Sequence, residues 1–169
     1  MKIHKVPVGF LKTNCYLVSD DETKETVVID PGDEAGKIIM EIENNDLKPK
    51  VILLTHTHFD HIGAIQEIKN YFKIDCLKTK EGDVITTMGD TKLKVIETPG
   101  HKEDCVCFVC EDCVFSGDTL FMNGVGRTDL EGSDPEAMKK SFARLMELPD
   151  NFKVYPGHGR ETTIGAERV

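Results

Sequence analysis

The 169-residue sequence has no tryptophan, only three tyrosines and no long apolar run. Its longest unbroken apolar stretch, Cys105 to Cys110, is six residues, far short of the ~20 that a membrane-spanning helix needs. No membrane partner is expected. The opening segment MKIHKVPVGFLKTN lacks the apolar core of roughly 7–15 residues that a secretory signal carries, so a cytoplasmic protein is expected. Positive charge is also scarce. Lysine and arginine number 21 against 30 acidic residues, a formal net charge of -9 with no basic block to offset it, which argues against nucleic acid as a partner. There is no internal repeat, low-complexity tract or Pro/Ser-rich linker, and 39% of residues are apolar against 30% charged. One soluble domain over residues 1–169, with a sizeable core, is the simplest account.

Six cysteines are present (Cys15, Cys76, Cys105, Cys107, Cys110, Cys113), and in a reducing compartment they stay thiols or bind metal. Of the six histidines, five (His56, His58, His61, His101, His158) fall in short segments that also carry Gly, Asp or Thr. His4 stands apart in an N-terminal strand. Short β-branched runs at Asn14–Val18, Thr26–Asp30, Lys50–Thr55, Leu93–Glu97, Cys105–Cys110, Cys113–Ser116 and Phe152–Tyr155 have strand length and turn residues at their borders. Helical spacing puts Ala35, Ile38, Ile39 and Ile42 on one stripe of Asp33–Asn44. It does the same for Ile62, Ile65, Ile68 and Phe72 in His61–Phe72, and for Met138, Phe142, Leu145 and Met146 in Asp134–Leu148. Ser133-Asp134-Pro135 is a strong start for the last of these. Strands in succession, then strands alternating with helices, predict an α/β chain with sheets packed together and helices outside.

The chemistry sits where strands end. Thr55-His56-Thr57-His58-Phe59-Asp60-His61 follows one strand, Pro99-Gly100-His101 a second, Ser116-Gly117-Asp118-Thr119 a third and Tyr155-Pro156-Gly157-His158-Gly159 a fourth. Imidazole and carboxylate together suit zinc, iron or manganese. His56, His58, Asp60 and His61 crowd four donors into six residues, more than one metal takes from a tight turn. Two adjacent divalent metal ions are therefore expected. An isolated histidine is usually only solvated, but that does not explain a cluster joined by His101, Asp118 and His158 at further strand ends.

The segment THTHFDHIG resembles the HxHxDH signature of the metallo-β-lactamase superfamily, and PGH, SGDT and YPGHG match its remaining ligand motifs in order. TNCYLV, VVIDPGD, GDTLFMNGVGRTDLEGSDPE and YPGHGRETTIGAER extend the likeness, over nearly the whole chain, to compact hydrolases related to glyoxalase II (hydroxyacylglutathione hydrolase). The resemblance implies an αββα sandwich of two mixed β-sheets with the site at one edge. It implies one metal held by His56, His58 and His101 and a second by Asp60, His61 and His158. Asp118 would bridge them together with a hydroxide. The implied reaction is attack of that hydroxide on a thioester or ester carbonyl, with Asp60 and Asp118 as the catalytic carboxylates and a thiolate leaving unaided. Asp30, in VIDPG, either caps the turn before Pro31-Gly32 or, by the resemblance, is a buried carboxylate steadying a ligand.

Departures from the family bear on substrate. Cys76 to Gly82 runs CLKTKEG, where relatives carry a longer insertion bordering the site. The sequence ends at Arg168-Val169 without the family's usual tail or the helical domain of glyoxalase II, so few glutathione contacts are expected. Arg127 matches a basic glutathione-contacting position, but Asp129 stands where glyoxalase II has tyrosine, and Lys102-Glu103-Asp104 replaces a frequent Thr-Pro-Gly. An open site suits a larger or less defined thioester or ester. The alternative within the superfamily is a mononuclear-iron persulfide dioxygenase, which shares the segment Gly126-Arg127-Thr128-Asp129 and would use only His56, His101 and Asp118. YPGHGRETTIG and GSDPE favour the hydrolase. The CxCxxCxxC spacing from Cys105 to Cys113 admits a metal knuckle, but alternation sets Cys105 and Cys107 on one face and Cys110 on the other, so core packing is expected.

Overall fold

The computed structural model describes residues 1–168. Strands β1 (Lys2–Val8), β2 (Thr13–Ser19) and β3 (Glu25–Ile29) come first, then helix α1 (Ala35–Asn44) and β4 (Lys48–Leu53). Next are α2 (Phe59–Ile62), α3 (Ile65–Phe72), β5 (Asp75–Cys76), β6 (Val84–Met88), β7 (Thr91–Glu97), β8 (Val106–Val109) and β9 (Cys113–Gly117). A short hairpin, β10 (Leu120–Phe121) and β11 (Gly124–Val125), precedes α4 (Pro135–Leu145), β12 (Lys153–Pro156), β13 (Thr162–Thr163) and α5 (Ile164–Glu167). One sheet has the order β1-β2-β3-β4-β5 and the other β13-β12-β9-β8-β7-β6. Both are mixed: β3 pairs parallel with β4, and β9 with β12, while their other neighbours include antiparallel strands.

Alternation along each strand sorts the side chains into layers. Tyr16, Val18, Val27, Ile29, Val51 and Leu53 of the first sheet meet Leu93, Val95, Phe108 and Phe115 of the second in the central layer. Their neighbours Cys15, Leu17, Val28 and Ile52 face outward onto Ile38 and Ile42 of α1 and Ile68 of α3. On the second sheet Ile96, Cys107, Val114 and Val154 pack under Leu145 of α4 and Ile164 of α5. Central strands are covered on both faces, so β2 is buried along its whole length. Each fully buried phenylalanine such as Phe115 contributes about 1.5–3 kcal/mol. The architecture is the αββα sandwich.

Several boundaries differ from the sequence expectation, for local reasons. The helix expected over His61–Phe72 is two helices, α2 and α3, separated at Gly63-Ala64. The Pro31-Gly32 turn is pressed against this point: a Cβ on Gly63 would lie 2.3 Å from the Gly32 carbonyl oxygen, and the Ala64 amide donates to Pro31 (3.0 Å). α1 starts two residues late because Glu34 takes a left-handed φ of 46°. α4 is shorter than Asp134–Leu148 but starts as expected, with the Asp134 side chain accepting from the Glu136 and Ala137 amides. β8 is trimmed to Val106–Val109 from the expected Cys105–Cys110. The two-residue strands β5, β10, β11 and β13, the edge strand β6 and the one-turn helix α5 left no periodic pattern to read. All six cysteines are free thiols; Cys107 lies in the outer layer, Cys110 and Cys113 in the central one. No helix among the described residues is long and apolar enough to cross a membrane.

Strand direction sets the site. β7 and β9 are each antiparallel to β8, and β12 is parallel to β9, so the C-terminal ends of β7, β9 and β12 lie along one edge. The loops after those ends carry His101, Asp118 and His158, and the loop after β4 brings His56 to His61 to the same place.

Candidate metal centre

The structure brings all seven donors expected from the sequence into one cluster. Their ligand atoms form three compact groups: His56, His58 and His101; His56, His61 and Asp118; and Asp60, His61 and His158. In the first group His58 Nδ1 lies 3.0 Å from His56 Nε2 and 2.9 Å from His101 Nε2. In the last, His158 Nε2 lies 3.2 Å and His61 Nε2 3.6 Å from Asp60 Oδ2. Asp118 touches both sides, with Oδ1 3.4 Å from His61 Nε2 and Oδ2 3.5 Å from both His101 Nε2 and His158 Nε2. His56, His61, His101 and Asp118 are buried; His58, Asp60 and His158 are partly open to solvent.

Four of the five inward nitrogens are aimed by what holds the rest of the ring. Asp30 is buried and accepts from the Thr55 amide (2.7 Å) and hydroxyl (2.6 Å), with His61 Nδ1 at 2.9 Å. The same Thr55 hydroxyl lies 3.1 Å from His56 Nδ1. One carboxylate thus orients His61 directly and His56 through a hydroxyl, which is the steadying role and more than a turn cap. His101 Nδ1 is 2.9 Å from the Arg127 carbonyl and His158 Nδ1 is 3.1 Å from the Leu11 carbonyl. Both must donate there, so on each ring it is Nε2 that faces the cluster. Thr13 donates to Asp60 Oδ2 (2.8 Å). Asn14 and Tyr16 on β2 clamp the loop of His158 by donating to the Pro156 carbonyl (2.9 and 2.7 Å). Gly157 is required by closeness: a Cβ there would sit 2.2 Å from Asp118 Oδ1.

The donor set fits bound cations. His61 Nε2 and Asp118 Oδ1 are buried and have no hydrogen-bond partner, a costly arrangement unless something between them is coordinated. Three imidazole nitrogens converging at about 3 Å make the same demand on the other side. Charge differs across the cluster. Burial, then the neighbouring His61, pushes His56 down to about 3, and burial with His101 nearby lowers His58 as well. Burial opposes a charge on His61 too, but Asp30 and Asp118 outweigh it and lift His61 up to about 10. The same contest, won by Asp118 and Asp60, raises His158 to about 9. Against burial, the adjacent histidines hold Asp60 and Asp118 well below the usual carboxylate range.

One sequence candidate lies outside this constellation, and His4, set apart from the start, lies outside it too. The Arg127 guanidinium makes both its side-chain hydrogen bonds to Asp129 (2.7 Å each) and is exposed; the residue serves the cluster through its main-chain carbonyl. His4 pairs with Glu41 at 2.9 Å, away from the metal-ligand groups. Sequence reading missed Thr13, Asn14 and Thr55 as supports, since a hydroxyl or amide carries no signature of its own.

Residues 8–75 and 73–158 match the family model of the Metallo-beta-lactamase superfamily. The two stretches meet just before Cys76–Gly82, the segment read as shortened. The hydroxyacylglutathione hydrolase GloC of Haemophilus influenzae is 32% identical, over 99% of this chain and 95% of that protein. The probable metallo-hydrolase YqgX of Bacillus subtilis is 34% identical, also over 99% and 95%. Both alignments run over 203 positions, so these relatives carry residues with no counterpart here. Among solved structures, the BLEG-1 B3 metallo-beta-lactamase superposes with a TM-score of 0.91 at 33% identity, covering 98% of this chain and 96% of that one. ETHE1 from Myxococcus xanthus gives 0.92 at 29%, covering 99% and 82%. TTHA1623 in a di-iron-bound form gives 0.87 at 34%, covering 97% and 96%.

Proposed function

The chain belongs to the metallo-beta-lactamase superfamily, and from that premise we propose that it is a binuclear metal-dependent hydrolase of a thioester or related ester. The observation that carries this reading is the pairing of two donor triplets around one carboxylate. His56, His58 and His101 would hold one divalent cation, and Asp60, His61 and His158 the other. Asp118, within 3.4–3.5 Å of His61, His101 and His158, is shared. Zinc, iron and manganese all accept such donors, and the di-iron form of the relative TTHA1623 makes iron a concrete candidate. Two such cations supply Lewis acidity at a carbonyl oxygen and a water whose pKa is lowered toward neutrality.

The chain's own residues do the rest. Asp60 and Asp118, both kept ionised, are the carboxylates available to orient the attacking water. Asp30 and Thr55 hold His61 and His56 in place so that no reorganisation is needed as charge develops. A thiolate leaving group needs no proton from the protein. The dioxygenase alternative leaves Asp60, His61 and His158 without a role, although the fold sets them side by side. The glutathione thioester named for the Haemophilus relative is the first substrate to try, but the only matched anchor, Arg127, is already neutralised by Asp129.

Metal analysis with steady-state kinetics tests the reading. Two equivalents of metal are expected, together with thioester hydrolysis in which S-lactoylglutathione saturates more weakly than a simpler thioester and Arg127→Ala changes its KM less than about threefold. One equivalent of iron, with oxygen consumed on a persulfide, would overturn the hydrolase. A low KM for the glutathione thioester that depends on Arg127 would restore glutathione as the substrate.

A further inference from the structure

The tip of the β1–β2 hairpin and the start of α2 leave three large apolar side chains without cover. Phe10 is 96% exposed, Phe59 75% and Leu11 47%. Scattered apolar residues on a surface are ordinary, but these three flank one cleft of about 350 Å³ whose lining also includes the ligand candidate Asp60. The hairpin tip is held in place. Gly9 takes a φ of 68° and Lys12 one of 52°, and the Lys12 amide closes the turn onto Gly9. The Gly9 amide donates to Glu34 (2.8 Å), and the Leu11 carbonyl accepts from His158 Nδ1 (3.1 Å). The ring of Phe10 is therefore presented beside the metal centre by a turn tied to one of its own donors.

Charge and size restrict what this cleft takes. No lysine or arginine lines it, while Asp33 and Asp60 both do. A carboxylate-bearing group meets like charge there with nothing to pair with. The volume accommodates roughly ten to twelve non-hydrogen atoms at the ~30 Å³ a water occupies, too little for a tripeptide thiol. Thr13, the one hydroxyl on the wall, spends its proton on Asp60. Resting on the hydrolase reading, we propose that this cleft is the acyl-group site and selects an uncharged, apolar acyl chain of short to medium length, with Phe10 and Phe59 as its walls.

The test uses metal-loaded protein and thioesters of one neutral thiol, N-acetylcysteamine, bearing acetyl, hexanoyl or succinyl groups. Each buried methylene is worth roughly fourfold, so kcat/KM for hexanoyl is expected to exceed that for acetyl by about tenfold or more, with succinyl below acetyl. Phe10→Ala and Phe59→Ala bring the hexanoyl-to-acetyl ratio near one. Asp33→Asn raises succinyl relative to acetyl. Met40→Ala, an exposed apolar change on α1, leaves every ratio as it was. Calorimetric binding of the S-hexyl thioether to metal-free protein, weakened about tenfold by Phe10→Ala, supplies a readout without turnover. Hydrolysis with no acyl-chain-length preference overturns the acyl site and leaves the hydrolase standing. Thioether binding through Phe10 with no thioester hydrolysed overturns the hydrolase instead. A change of oligomeric mass in Phe10→Ala with thioether affinity intact would make the patch a self-association surface and overturn the acyl site.

Discussion

The two halves of the cluster are built from the same histidines and carboxylates yet are electrically opposite. His56, His58 and His101 converge in one group, in which burial pushes His56 down to about 3 and lowers His58. Asp60, His61 and His158 form an ion-paired group in which His61 rises to about 10 and His158 to about 9. The difference comes from the supports. The first group leans on a hydroxyl and a main-chain carbonyl, both neutral. The second has the Asp30 carboxylate behind it and two more carboxylates in front. A cation therefore meets little proton competition at His56 and His58 and must displace protons from His61 and His158.

Removing what the halves share has the largest expected effect. Asp118→Ala should lower turnover by about a thousandfold or more, the scale of losing a principal electrostatic contributor, and reduce metal content below that of any other single ligand change. Near-normal turnover with two metals retained would show that the halves are independent and the shared carboxylate is misassigned. Metal analysis beside kinetics reads both.

Asp30→Asn comes next. It keeps the shape but removes the charge behind His61, so metal affinity at the second group should fall about 10–100-fold, the usual cost of losing a supporting partner. The first group, reached only through Thr55, should lose much less. Equal losses at both would erase the distinction between them.

The smallest effect expected is in pH, and its sign follows from the shifts. His61 and His158 are raised above the ordinary 6.5, so the stability their protonation lends the metal-free protein is complete below that value and fades as pH climbs through about 9 to 10. The depressed carboxylates act in the other direction, below about pH 4. At a fixed, modest free-metal concentration the protein should therefore take up one equivalent at about pH 6 and a second toward about pH 9. Thermal unfolding of the metal-free protein should weaken over that same rise. Two equivalents taken up with equal ease at about pH 6 would contradict the charge difference.

Much of the site was legible before the fold was known, because few side chains bind divalent metals and they recur at strand ends beside Gly and Pro. The helix stripes of α1 and α4 were legible for the same kind of reason: a buried face needs apolar residues every three or four positions. The break at Gly63-Ala64 was not, since it arises from the Pro31-Gly32 backbone arriving from another part of the chain. Nor were Thr13, Thr55 and the Arg127 carbonyl. The first two are common residues whose hydroxyls matter only because of what lies 3 Å away, and the third is a main-chain atom that every residue possesses.

Which donors exist, which strands alternate and which family the motifs resemble could be read along the chain, because residue chemistry and periodicity are local properties. That Asp118 stands between two triplets, that Asp30 lies behind one of them and that Phe10 and Asp60 line one cleft follows from the folded chain alone. Those facts depend on distances of a few ångströms between residues up to a hundred positions apart, and electrostatics in a buried site is set by such distances rather than by composition.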